Sequence, residues 1–252
     1  MRFASLGSGS RGNALVVEAG GTRVLVDCGF GPRQLARRLG RLGLSPADLT
    51  AILITHEHTD HVAGAAQLAA RYGLAIFLTH GTLAASRLEG VRLEVIDGHR
   101  PFAIGDLEFQ PFPVPHDARE PVQFVIADGR RRCGLLTDTG FVTPHMLAML
   151  SACDALVLEC NHDPEMLAGG SYPPALKRRI AGREGHLSNQ DAAELLAAVD
   201  TGRLQHVIAA HLSQENNRPA LAQAALAAVL GCAEGEIGVA DQENGFAWRR
   251  LV

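Results

Sequence analysis

Ala51-Ile52-Leu53-Ile54-Thr55-His56-Glu57-His58-Thr59-Asp60-His61 is the stretch on which the reading of this chain turns. An apolar run of strand type gives way at once to a turn carrying three imidazoles and a carboxylate, His56, His58, His61 and Asp60. A strand that ends in such a turn aims these side chains at one point. Imidazole and carboxylate together suit zinc and its first-row neighbours. His56 and His58 can reach one ion, and Asp60 and His61 a second. The H-x-H-x-D-H spacing therefore points to a two-metal site rather than a single structural ion.

Two ions need more than four ligands, and the chain has 11 His. Ligands in α/β sheets gather at the carboxyl ends of strands, so position after an apolar run is the filter. Three residues pass it. His116 follows Phe109-Gln110-Pro111-Phe112-Pro113-Val114-Pro115, Asp138 follows Cys133-Gly134-Leu135-Leu136-Thr137, and His211 follows Val207-Ile208-Ala209-Ala210. Taken alone, each reads as a turn or cap residue. Beside the first motif the balance moves to metal binding. His80, His99, His145 and His206 lack this placement.

These residues resemble the metallo-β-lactamase fold superfamily, and the likeness runs from the first strands to His211. The resemblance implies an αββα four-layer sandwich, two mixed sheets flanked by helices, as one hydrolase domain over residues 1–252. It implies that His56, His58 and His116 hold one ion, that Asp60, His61 and His211 hold the other, and that Asp138 bridges both. Possession of both Asp60 and His61 is similar to the hydrolytic dinuclear branches, which include thioesterases, phosphodiesterases and nucleases. His58, where diiron relatives carry Glu, argues against redox chemistry.

A second set lies outside the ligands: Leu6 to Asn13, Glu159 to Asp163, Tyr172-Pro173 with Leu176-Lys177, Gly185 to Asn189, and His211-Leu212-Ser213 with Asn216-Asn217. Together they resemble the bacterial WalJ/YycJ-type exonuclease group. That resemblance implies a 5′-to-3′ exonuclease with a DNA substrate and two divalent ions, zinc or manganese. Asp60, Asp138 and His186 are the expected catalytic residues, with Asp138 bridging the ions and His186 protonating the leaving alkoxide. His186 also reads as a buried loop histidine. Asp27 reads equally as an acceptor for a ligand imidazole N–H or as a strand-ending turn residue. Ser8, Ser10 and Asn13, in a Gly-rich loop, are either phosphate donors or structural. Lys177, with Arg178 and Arg179, either meets a nucleic-acid backbone or forms a solvated helix face. Asn161 and His162 join the expected substrate-binding residues through the resembling set.

Composition bounds these readings. At 252 residues and 47% hydrophobic content the chain can bury a large core, and with 5% aromatics that core is mainly Leu, Val and Ala. No run approaches the ~18 apolar residues of a membrane helix. Met1 to Ser5 has no signal-type apolar region, and five Cys without C-x-x-C spacing fit free thiols, so a cytoplasmic location is expected. A net charge of −4 argues against a long nucleic-acid footprint. A small-molecule metallo-hydrolase, such as a cyclic phosphodiesterase or thioesterase, is the alternative. A non-catalytic regulatory module is disfavoured because all seven ligands are present.

Periodicity predicts strands at Val24 to Asp27, Ala51 to Ile54, Ala75 to Leu78, Val122 to Ala127, Gly134 to Thr137, Ala155 to Glu159 and Val207 to Ala210. It predicts helices at Arg33 to Leu42, Val62 to Tyr72, Pro144 to Leu150, Asn189 to Val199 and Ala220 to Leu230. Ser188 and Asp191 form a capping-box pair, and Ala19-Gly20-Gly21 marks a hairpin. No linker or repeat interrupts the chain.

Overall fold

A computed structural model describes residues 1–252. One sheet contains β1 (Arg2–Gly7), β2 (Ala14–Ala19), β3 (Thr22–Val26), β4 (Ala51–Leu53), β5 (Ala75–Thr79), β6 (Leu93–Ile96) and β14 (Phe246–Arg250), in the order β14-β1-β2-β3-β4-β5-β6. The other contains β7 (Phe102–Ile104), β8 (Leu107–Pro113), β9 (Val122–Ala127), β10 (Arg132–Leu136), β11 (Ala155–Glu159), β12 (His206–Ala210) and β13 (Gly238–Val239), in the order β13-β12-β11-β10-β9-β8-β7. In each sheet antiparallel hairpins give way to parallel strands. The change falls at β3, which pairs antiparallel with β2 and parallel with β4, and at β10, which does the same with β9 and β11.

Side-chain alternation along the strands builds the layers. Val24, Val26 and Leu53 of one sheet meet Phe109, Phe124, Leu135 and Val157 of the other in a shared slab. Leu25 and Ile52 point the opposite way, onto Leu35 and Leu39 of α1 (Pro32–Gly40) and Leu68 of α3 (Ala65–Tyr72). Leu136, Leu156 and Leu158 point away from the slab, onto Met146 and Leu150 of α5 (Pro144–Leu150) and Leu195 and Leu196 of α8 (Asn189–Ala198). The two-residue period thus places apolar side chains on both faces of both sheets, so each sheet needs a cover on each side. The result is the expected αββα sandwich.

The remaining helices are α2 (Thr59–Val62), α4 (His80–Ala85), α6 (Pro164–Gly169), α7 (Pro174–Ile180) and α9 (Pro219–Leu230). The single helix expected over Val62 to Tyr72 is therefore two, α2 and α3. Gly64 interrupts it: its N–H donates to Cys28 O at 2.8 Å, and a Cβ there would lie 1.9 Å from Phe30 O. Ser188 and Asp191 form the expected capping box at the start of α8. No helix is long and apolar enough to cross a membrane.

Candidate metal centre

The parallel strands end on one edge of the sandwich, and the predicted ligands stand there. His56 and His58 follow β4, Asp60 and His61 begin α2, and His116 follows β8. Asp138 follows β10 and His211 follows β12. Asp27, just beyond β3, has φ 62°, Asp138 has φ 56° and His211 has φ 55°. Left-handed backbone is uncommon in residues with a side chain and costs on the order of 1–3 kcal/mol each. Here it turns the chain sharply at the strand tip.

The donor atoms fall into groups. His56, His58 and His116 offer atoms within 4.8 Å of one another, as do Asp60, His61 and His211. Asp138 forms such a group with His56 and His61. His61 Nε2 is 3.4 Å from Asp60 Oδ2 and 3.3 Å from Asp138 Oδ2, and His116 Nε2 is 3.2 Å from His58 Nδ1. Three buried atoms of these groups, His56 Nε2, Asp138 Oδ2 and His211 Nε2, have no hydrogen-bond partner. A buried unsatisfied polar atom costs about 1–3 kcal/mol. Three converging on one cluster of imidazole and carboxylate are donors that fit a divalent cation.

The opposite nitrogen of each imidazole is anchored. His61 Nδ1 meets Asp27 Oδ2 at 2.8 Å, His56 Nδ1 meets Thr55 Oγ1 at 3.0 Å, and His116 Nδ1 meets Gly185 O at 3.2 Å. Thr55 Oγ1 in turn donates to the Asp27 carboxylate, at 3.0 Å from Oδ2. His58 is reversed: its Nε2 faces Asp117 O at 3.2 Å and its Nδ1 faces the cluster. Such contacts select the tautomer that leaves the inward nitrogen free as a ligand. Of the two readings open for Asp27, its position favours the acceptor.

Glu159, the last residue of β11, was given no role by the sequence. It is fully buried. Its Oε1 receives His186 Nδ1 at 2.8 Å and His211 Nδ1 at 3.0 Å, and its Oε2 receives the N–H groups of Thr139 and Leu187, both at 3.1 Å. Burial raises the carboxyl pKa, but the positive charge and hydrogen bond of His186 outweigh it and hold the group down at about 2. His186 is raised in return, its burial outweighed by Glu159. Its Nδ1 is held while its Nε2 makes no hydrogen bond in the protein. His211 is pushed up to about 10, because Asp138, Asp60 and Glu159 together outweigh its burial. His56 sits well below the ordinary imidazole value, first through burial and then through the neighbouring His61. The rule that found Asp138, a ligand type at the tip of an apolar strand, also fits Glu159 after Ala155-Leu156-Val157-Leu158.

Most of the residues expected at the substrate turn inward. Ser8 Oγ accepts the His211 N–H at 2.9 Å. Asn13 Nδ2 lies 3.1 Å from Asp60 Oδ2, and its Oδ1 accepts the Gly9 N–H at 2.8 Å. Asn161 Nδ2 donates to His211 O at 2.9 Å, and Lys177 Nζ donates to Ala168 O at 2.7 Å. His162 is buried, with no partner for Nδ1. Ser10 is exposed.

Two facing mixed sheets with clustered His and Asp at the parallel strand ends define a metallo-β-lactamase fold. The chain matches the family model described as "Beta-lactamase superfamily domain" over residues 22–211 and belongs to that superfamily. A metallo-β-lactamase fold protein, YhfI from Bacillus subtilis, superposes with a TM-score of 0.75 at 16% identity, covering 99% of both chains. Among curated proteins the chain is 36% identical over 242 residues to exodeoxyribonuclease YycJ of Bacillus anthracis, covering 91% of this chain and 89% of that one. It is 34% identical over 245 residues to exodeoxyribonuclease WalJ of Streptococcus pneumoniae, covering 94% and 91%. The chain thus belongs to the YycJ/WalJ group, a group of hydrolases within the superfamily.

Proposed function

We propose that the chain is a dinuclear, metal-dependent 5′-to-3′ DNA exonuclease acting as a single domain over residues 1–252. The observation that carries this reading is the near full-length similarity to the two exodeoxyribonucleases. His56, His58 and His116 would hold one ion, Asp60, His61 and His211 the other, and Asp138 both. Zinc and manganese both accept His and Asp donors. Two such ions, when bound, supply phosphoryl polarisation and a nucleophile drawn from water at neutral pH.

The chain's own residues do the rest. Asp60 and Asp138 would hold the ions, and Asp138 would also help orient the nucleophile drawn from water. His186 gives a proton from Nε2 to the leaving alkoxide, since Nδ1 is fixed on Glu159 at 2.8 Å. Glu159 fixes His186 and His211 together, so proton donor and ligand keep one geometry. Ser8, Asn13 and Asn161 support His211 and Asp60 from behind. Ser10 remains open to a terminal phosphate.

Metal-loaded protein assayed on end-labelled nucleic acids, aryl phosphodiesters and thioesters tests the reading. A 5′-phosphorylated DNA strand should be shortened progressively from that end, a 5′-hydroxyl strand more slowly, and a closed circle scarcely at all. Inactivity on every polymer, with brisk hydrolysis of a cyclic phosphodiester or thioester, would replace the nuclease with the small-molecule hydrolase.

A further inference from the structure

Residues 177–183, Lys177-Arg178-Arg179-Ile180-Ala181-Gly182-Arg183, hold four cations and no acid in a chain of net charge −4. They belong to α7 and the loop after it, and α7 has no buried residue. Lys177 caps a carbonyl, and Arg179 pairs with Asp117 at 2.7 Å. Arg178 and Arg183 are exposed and enter no ion pair. A cleft of about 370 Å³ opens here, lined by Asp117, Arg178, Arg179, Gly182, Arg183 and Glu184. It adjoins the metal centre, because Asp117 O faces His58 Nε2 at 3.2 Å.

Arg183 sits over an aromatic ring: its Cζ is 4.4 Å from the centroid of Phe141. Two loops carry this pair, and each also carries a residue of the site. Phe141 is three residues after Asp138, and Arg183 three residues before His186. The loops touch backbone to backbone at Gly140, where a Cβ would lie 2.3 Å from Arg183 C. Three residues of chain span at most ~11 Å, or about three nucleotides at ~3.4 Å each. The pair is therefore held within a short reach of the cluster.

We propose that the Phe141–Arg183 stack, with Arg178 beside it, is the platform that grips an unpaired stretch of the nucleic-acid strand. One base stacks on the outer face of the Arg183 guanidinium, and Arg178 neutralises a neighbouring phosphate. A base inside a duplex has both faces covered by its neighbours, so the platform favours an unpaired strand over the interior of a duplex. The proposal rests on the nuclease reading and specifies the form of its substrate.

Binding is read by anisotropy of a fluorescein-labelled, cleavage-resistant phosphorothioate oligothymidylate with metal-loaded enzyme, and kcat and KM with the same enzyme on 5′-phosphorylated single-stranded DNA. Phe141→Ala and Arg183→Ala should each weaken binding and raise KM roughly tenfold. Their DNA efficiency should fall relative to that on an aryl phosphodiester. Phe141→Trp should keep affinity. Arg183→Lys should keep the salt dependence of wild type but not its affinity. Arg178→Ala should reduce the slope of log K against log salt by about 0.7, one single-strand phosphate. Wild-type affinity in Arg183→Ala, tighter binding of duplex than single strand, or equal losses on DNA and aryl diester would overturn the platform. A wild type that neither binds nor cuts any strand, yet hydrolyses the aryl diester, overturns the nuclease reading and the platform with it.

Discussion

Glu159→Gln isolates the contact that joins His186 to His211. The glutamine keeps the volume and can still accept the N–H groups of Thr139 and Leu187 through one oxygen. Its amide nitrogen then faces His186 Nδ1 and His211 Nδ1, which lie 2.8 and 3.0 Å from Oε1 in the wild type. Each imidazole must offer a lone pair at Nδ1 and carry its hydrogen on Nε2. For His211 that hydrogen occupies the atom that would ligate. Loss of such an outer contact costs ~10–100-fold in affinity or activity, or about 1.4–2.7 kcal/mol. We expect the ion on Asp60, His61 and His211 to be retained ~10–100-fold less tightly, and kcat at saturating metal to fall by a further ~10–100-fold through His186. Metal content after graded chelation and kcat against added metal separate the two, because excess metal restores only the first. If Glu159→Gln kept both ions through chelation with undiminished turnover, the orienting role of Glu159 would be wrong.

Elemental analysis of loaded protein should give two ions per chain, and Asp138→Ala should abolish activity while releasing metal from both positions. His186→Ala should keep both ions and slow DNA cleavage by ~10²–10⁴-fold, with a smaller loss on an aryl diester whose leaving group needs less protonation. Asp154 is buried and accepts the Arg132 N–H at 2.8 Å and Arg131 Nη1 at 3.0 Å. Burial raises its pKa, but these donors outweigh it and hold the carboxyl below its ordinary value. A depressed folded value means that the stabilisation is full above about pH 4 and is lost as pH falls through the folded pKa. Asp154→Asn should therefore unfold more readily at neutral pH, by ~1.5–3 kcal/mol, and show a flatter acid limb in chemical denaturation at graded pH.

The clustered His and Asp residues were legible because each follows an apolar strand, and strands that run the same way end on one edge. Parallel strands such as β4 and β11, buried on both faces, announce themselves as unbroken apolar runs. Strands β6 and β14 do not: Leu93-Glu94-Val95-Ile96 and Phe246-Ala247-Trp248-Arg249-Arg250 lie at sheet edges and mix charge with apolar residues. The break between α2 and α3 was hidden because what forbids a side chain at Gly64 is Phe30, distant in sequence. The direction of Ser8 and Asn13 was hidden for the same reason. A Gly-rich loop advertises donors, but their partners, His211 and Asp60, are 203 and 47 residues away.

The two ligand groups share one property of arrangement. His56 and His58 hang from one sheet and His116 from the other; Asp60 and His61 hang from one and His211 from the other. Neither half of the sandwich owns a complete coordination sphere, so each ion would be a rivet driven through the seam. Free energy of ion binding becomes free energy of closure between the halves. The apolar slab holds the far body of the sandwich, while the rim around the cleft would depend on such rivets. Chelation would then do more than silence the chemistry. It would loosen that rim, leaving its loops open to proteases, and the lifetime of the molecule would follow its supply of metal.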